Sequence, residues 1–414
     1  MQKTTGNKSN ELIPNLFRTE YSKLIAILCR QYSVASIELI EDAVSETFLA
    51  ASENWGLKGI PKNPNGWLYM VAKNRIIQHF KRDGLFQSYA SEALQSESGV
   101  SDDQAAWDDD YIEDSQLRMM FAVCHPELSD DAQIALALRI LCGFGIDEIA
   151  KAFLSNKETI NKRLHRSKSK LKELTQLLEL PEPSQLDARI GNVLRTIYLL
   201  FNEGYHSASD QHNLRKDLCL EALRLAVLLA HNDLTRNPEV DALIALMCFH
   251  ASRFDARTDE QKEWIVYEKQ NRSLWDRDLI FQGEYYLNRS ARGNEVSKYH
   301  LEAAIAYWHT RPDTEEKWAA ILKQYNFLLQ INYSEVLALN RTYALYRVEG
   351  REKALSEAKK LNLDQNCYYH MLMAELLGST QVTQTLKHYE KALSLTKSEP
   401  LKRLILQKIK DVSN

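Results

Sequence analysis

No C-x-x-C pair occurs among the six cysteines of the 414-residue chain, which lie far apart in sequence. A structural zinc site is therefore not expected, and the thiols read as reduced and mostly buried. No stretch approaches the roughly eighteen uninterrupted apolar residues of a membrane span, and residues 1 to 12 are polar rather than signal-like. The cytoplasm is the expected compartment, with no membrane partner. A Gly-rich phosphate loop, a nucleophile elbow and an H-E-x-x-H pair are all missing. Glu203, His206, Asp210 and His212 are close in sequence, as are His300 and His309. Such groups on helices usually sit at surfaces or caps, so neither catalysis nor a metal or other cofactor is expected. Alternating strand patterns are lacking too, which leaves an all-α fold.

One further absence is local. From Gly84 to Leu117 there is no Lys or Arg, while Glu92, Glu97, Asp102, Asp103, Asp108, Asp109, Asp110, Glu113 and Asp114 are acidic. From Lys151 to Lys172 the balance reverses, and eight basic residues face only Glu158. A net charge of -4 conceals this segregation. Blocks of one sign mark linkers or faces for polyanions, although a lone basic helix is more often simply solvated. Apolar residues recur at three- and four-residue spacing nearly everywhere else. Pro and Gly cluster in "WGLKGIPKNPNG" (55 to 66), around Gly99 and in "LPEPSQ" (180 to 185). These breaks divide the chain into a helical unit (12–84), an acidic linker (85–115), a basic helical unit (116–180) and a long helical array (186–409). Within the array "KALSEAKKL" at Lys353 and "KALSLTKSE" at Lys391 repeat at a spacing that suits stacked helix pairs of tetratricopeptide type.

In the basic unit, Ile146, Ile149, Ala150, Phe153, Ile160 and Leu164 predict two helices crossing at a tight turn. Ser155 is the expected cap, with Glu158 reaching back, so that the second helix begins near Asn156. Lys157, Thr159, Asn161, Lys162, Arg163 and Arg166 then face outward, amides and guanidinium groups toward base edges and the later cations toward phosphates. A second start signal is "NPNGWLYMVAKNRIIQHFKRD", where Asn63 caps and Pro64 takes the first helical position. Trp67 and Tyr69 near its start accompany Lys73, Asn74, Arg75, Lys81 and Arg82, a mixture that suits unstacked bases, although such aromatics are more often core.

Taken in order, these parts resemble an extracytoplasmic-function type RNA polymerase sigma factor over residues 12 to about 175. "EDAVSETFLAA" (41 to 51) resembles the helix that binds the polymerase clamp. "NPNGWLYMVAKNRIIQHFKR" resembles the promoter -10 helix, and "DEIAKAFLSNKETINKRLHRSKSKL" the -35 reader. Ser45 stands where that family usually has Gln, and Leu154-Ser155 where it usually has Gly-Ile. The resemblance implies core polymerase contacts from Asp42, Glu46, Phe48 and Leu49. It implies -10 contacts from Trp67, Asn74, Arg75, Lys81 and Arg82, and -35 contacts from Lys157, Thr159, Asn161, Lys162, Arg163 and Arg166. "LLFNEGYHSASDQHNLRKDLCLEALRLAVLLA", "NPEVDALIALMCFHASR", "NRSLWDRDLI" and "LNRTYAL" are similar to a subgroup with a long tetratricopeptide-like extension, which implies a regulatory module. Its ligand, whether protein, peptide or small molecule, stays open, and "NEGYHSASD" reads as a helix end or as a ligand-contacting turn.

The alternative is a helix-turn-helix regulator with a helical sensing domain. That reading leaves residues 37 to 83 and the acidic segment without a role. The apolar stripe Leu171, Leu174, Leu177 and Leu178 needs a cover, and the array starting near Leu186 is tethered close enough to supply it.

Overall fold

The computed structural model describes residues 5–82, 108–153, 155–175, 177–205, 216–259, 265 and 267–413. The linker residues 85–107, Leu154, His206, Asp210 and His212 lie outside the described residues. Helices dominate, and no strand occurs among the described residues. The chain divides into two compact units, Met1–Leu200 and Phe201–Asn414.

In the first unit, α1 (Thr5–Tyr32), α2 (Ile37–Lys58) and α3 (Pro64–Arg82) pack in sequence. Leu24, Ile25 and Leu28 of α1, Ile37, Ile40 and Val44 of α2, and Leu68, Ala72 and Ile76 of α3 are fully buried. Their three- and four-residue spacing is that of an amphipathic stripe. The start of α3 is as the sequence predicts, the Asn63 Oδ1 accepting from the Gly66 N–H at 3.0 Å. A Cβ on Gly66 would stand 2.8 Å from the Asn63 amide nitrogen, so the cap needs glycine there.

Next come α4 (Asp109–Val123), α5 (Asp130–Leu136), α6 (Ile146–Ala152) and α7 (Lys157–Leu174). The predicted acidic linker is therefore shorter than 85–115 at its C-terminal end, because α4 begins at Asp109. Asp109 and Asp110 fall in its first turn, where carboxylates complement the helix dipole. Asp114 pairs with Arg30 of α1 at 2.8 Å and the buried Gln116 donates to Ser22 at 3.2 Å, so these polar residues dock α4 on α1. Beyond α5 the chain widens into a π-helical turn, Ala137–Leu141, and Gly143 takes a left-handed φ of 68°.

The helix α8 (Pro183–Tyr205) begins three residues before Leu186, and its first part, to Leu200, belongs to the first unit. Arg189 donates to the Phe121 carbonyl at 2.7 Å and Asn192 to the Cys124 carbonyl at 2.6 Å. The Thr196 hydroxyl donates to the buried Gln133 side chain at 2.7 Å. The array thus starts as a strut on the ends of α4 and α5. Leu171 and Leu178 of the predicted stripe are buried and Leu174 is half-buried, but Leu177 is 65% exposed. α7 itself packs on α5, on α6 and on the turn at Val34–Ser36.

The second unit centres on α10 (Pro238–Ala251), preceded by α9 (Lys216–His231) and flanked by α11 (Arg277–Ser290) and α12 (Lys298–Thr310). Nearly all of α10 is buried, and Gly283 of α11 lets it approach Phe249, whose ring a Cβ would meet at 2.6 Å. Then α13 (Glu315–Ile331), α14 (Glu335–Glu349), α15 (Arg351–Leu361), α16 (Cys367–Leu377), α17 (Val382–Leu395) and α18 (Glu399–Ser413) follow, each packing on the next. Successive small cores fill this row, one around Ile321 and Leu345, one around Ala354 and Leu376, one around Ala392 and Ile405. Such nearest-neighbour packing is quasi-one-dimensional.

Candidate nucleic-acid interface

The α6–α7 pair forms the expected crossing. Ile149, Ala150, Ile160 and Leu164 are buried between the helices, and Ile146 and Phe153 are half-buried. The cap differs from expectation. Asn156, one residue later than Ser155, accepts from the Thr159 N–H at 2.8 Å, while the Ser155 N–H donates to the Ala150 carbonyl. Glu158 does not reach back but pairs with Lys162 at 2.7 Å, one turn ahead on the exposed face.

Lys157, Thr159, Asn161, Lys162 and Arg166 are exposed, as predicted for a reading face. Arg163 is set back. Its guanidinium lies 4.7 Å over the Phe153 ring and 3.2 Å from Asp131, so it is anchored before any ligand arrives. Thr159, Lys162, Arg163 and Arg166 line one wall of a cleft of about 500 Å³ whose other wall includes Ser129 and Asp131.

On α3, Trp67, Asn74 and Lys81 recur every seven residues and share one stripe, with Arg75 and Arg82 on the next. Asn74, Lys81 and Arg82 are exposed. Trp67 is half-buried edge-on to Trp55, with ring centres 5.4 Å apart, and Tyr69 is core, bonded to Gln31 at 2.9 Å. On α2, Asp42, Glu46 and Leu49 form an exposed stripe at i, i+4 and i+7, Leu49 being 61% exposed. Phe48 is not on it. It is 5% exposed and packs edge-on to Phe17 at 4.9 Å, so it holds α2 to α1 and is corrected from contact residue to core. Glu46 pairs with Arg75 at 2.5 Å, tying this stripe to α3.

A feature that sequence reasoning missed sits one turn away. Glu41 is 3% exposed, accepts from the Tyr21 hydroxyl at 3.0 Å and from Arg139 Nε at 2.8 Å, and pairs with Lys168. Burial first, and then the Glu41 carboxylate, push the Tyr21 phenol well above its ordinary value, so it keeps its proton and donates. Lys172 pairs with Glu38. Two of the eight cations of the basic segment therefore face inward, onto α2. The only sequence signal was that Glu38 and Glu41, like Lys168 and Lys172, are about one helical turn apart, which names no pairing.

The cysteine thiols are free, and burial drives those of Cys124, Cys219 and Cys248 up to about 12. Among the described residues no group of His, Cys, Asp and Glu could hold a metal ion, and no helix is long and apolar enough to cross a membrane.

Residues 16–85, which hold α2, α3 and most of α1, match the Sigma-70 region 2 family. Residues 118–171, with the helix pair and its reading face, match Sigma-70, region 4. The chain belongs to the sigma-70 family. Sigma-70 factors are transcription initiation factors, and regions 2 and 4 give this sigma factor its two partners, core RNA polymerase and promoter DNA. Residues 189–291 match a family of unknown function, DUF6596, which spans α8 to α11. The sigma factor is also similar to Uncharacterized protein R00370 of Rhizobium meliloti (strain 1021), 33% identical over 348 residues that cover 83% of this chain and 82% of that one. No solved structure matches it.

Proposed function

We propose that this is a sigma factor of extracytoplasmic-function type, acting in the cytoplasm, whose C-terminal extension of tetratricopeptide-like helix pairs sets the activity of region 4. The observation that carries the promoter-reading role is the outward row of Thr159, Asn161, Lys162 and Arg166 on α7, capped by Asn156 and backed by a buried apolar face. The row offers two neutral side chains and two cations to a major groove, the composition of a recognition helix. Lys157, paired with Asp147 at 2.6 Å, and Arg163, held by Asp131, flank it as phosphate contacts. Asn74, Arg75, Lys81 and Arg82 supply phosphate and base contacts at the -10 element, and Trp67 stacks there once it leaves Trp55. Asp42, Glu46 and Leu49 dock on the polymerase. The regulatory reading rests on α8, whose Arg189, Asn192 and Thr196 brace α4 and α5.

Lys162→Ala and Arg166→Ala separate base reading from phosphate binding. Measured by promoter-dependent transcription and by salt-dependent DNA binding, a base-edge contact is expected to cost about 1–3 kcal/mol and to change sequence preference. A phosphate contact is expected to weaken all sequences alike and to lower the salt slope by about 1. Unaltered transcription in both variants would contradict this reading face.

A further inference from the structure

Cations in the second unit gather where a fold that needed them only for solubility would spread them. Arg257 is 9% exposed, its guanidinium 3.7 Å over the ring of Tyr205. The Tyr205 hydroxyl accepts from Arg253 at 3.0 Å, and the Arg253 guanidinium in turn lies 5.4 Å from the ring centre of Tyr267. The Tyr267 hydroxyl accepts from Lys317 Nζ at 2.9 Å and from Arg272 at 3.5 Å. Four cations are thus linked through two phenols. Lys317 is fully buried, Arg253 is half-buried and Arg272 is exposed, so the network runs from the interior to the surface.

Among the described residues, carboxylates offset Arg253, Arg272 and Lys317 only in part. Lys317 comes only within 4.0 Å of Asp313, which is already held by Arg347 at 2.7 Å and by the Trp318 indole at 2.5 Å. Neither Arg253 nor Arg272 pairs with a carboxylate among the described residues. Beside them stands Trp275, 6% exposed, its indole N–H buried without a hydrogen-bond partner. Its ring lies 5.3 Å from the Arg272 guanidinium and 6.2 Å from the ring of Tyr267. A buried orphan donor is costly, and so is a buried cation whose neighbouring carboxylate is already engaged by other donors. Both costs are relieved by one acceptor.

We propose that Arg253, Arg272, Lys317 and the Trp275 indole bind a phosphate group, free or esterified on a small molecule. A phosphate monoester brings about 1.5 to 2 negative charges and three acceptor oxygens, and the site offers two guanidinium forks, an ammonium and an indole N–H. A single carboxylate would leave most of that charge uncompensated. The ligand is small because Lys317 is fully buried and only Arg272 stands at the surface, out of reach of a nucleic-acid backbone or a folded partner. This input to the extension is separate from the DNA and polymerase faces.

Protonation sets its pH range. Burial pulls Lys317 down to about 8; Asp313 opposes this, and Arg272, Arg347 and Arg253 add to it. His309, pushed to about 3 by burial, Arg253 and Lys317, stays neutral and brings no competing charge. Lys317 is therefore charged below a pH of about 8, and the attraction is lost as the pH rises through that value. Phosphate is already dianionic there, so its own titration does not cause the loss.

The test is a titration of the full-length protein with inorganic phosphate at constant ionic strength, followed by thermal unfolding and by phosphorus NMR. A saturable rise in Tm is expected that acetate does not reproduce, and it should weaken as the pH is raised through about 8. Arg253→Gln and Arg272→Gln should each weaken binding by roughly tenfold, the loss of one charge-assisted hydrogen bond. Arg272 is exposed, so that variant keeps the fold and the result does not depend on a buried substitution. A sugar phosphate that binds more tightly than inorganic phosphate would assign an esterified ligand, and one that binds more weakly would assign free phosphate. An equal response to acetate, no saturable response, or undiminished binding in both variants would overturn the proposal.

Discussion

Replacing Glu41 by alanine is expected to release region 4 from region 2, at a cost of about 3–5 kcal/mol to the closed first unit. Glu41 lies on α2, whereas Arg139 and Lys168 belong to region 4, and their side chains are only 16% and 14% exposed. Without the carboxylate two buried cations lose their partner. They regain water only if the regions separate, so the penalty falls on the packing between them rather than on either helical core. Small-angle scattering of Glu41→Ala should show an expanded particle with unchanged helical content. A particle as compact and as stable as the parent would remove Glu41 from this role.

The second large effect concerns polymerase. Asp42→Lys together with Leu49→Asp is expected to reduce association with core polymerase by more than about a hundredfold, since both side chains stand exposed on one stripe of α2. A charge reversal and the loss of an apolar anchor at an interface centre each remove about 2 kcal/mol or more. Glu46 is spared because its pair with Arg75 would confuse docking with the orientation of α3. Circular dichroism should be unchanged, both positions being solvent-facing. Unimpaired co-purification with core polymerase would show that this stripe is not the docking surface.

Much of this was legible in the chain because local rules dominate helical folds. Asn63 followed by Pro64 specified the start of α3, and the three- and four-residue spacing of Ile149, Ile160 and Leu164 specified the buried side of the helix pair. Exposed charge was legible for the same reason, and Lys162 and Arg166 are solvent-facing on α7 as the pattern predicts. What failed needed tertiary partners. Phe48 reads as surface or core depending on whether Phe17 stands across from it, and the acidity of Asp109 to Asp114 reads as linker until Arg30 supplies an ion pair. Lys168 and Lys172 counted as part of a polyanion-binding face, yet their partners Glu41 and Glu38 lie more than a hundred residues earlier. The cation network of the extension was invisible because its members come from α8, the turn after α10, the segment before α11 and α13, with no motif in common.

Run-off transcription with purified core polymerase, this protein and a library of promoter fragments tests the central assignment most directly. Transcripts are predicted to start from a defined set of promoters sharing -10 and -35 elements, to be absent with core polymerase alone, and to be lost with Asp42→Lys plus Leu49→Asp. Sequence-specific DNA binding without any stimulation of core polymerase would contradict the account and make the chain a helix-turn-helix regulator instead.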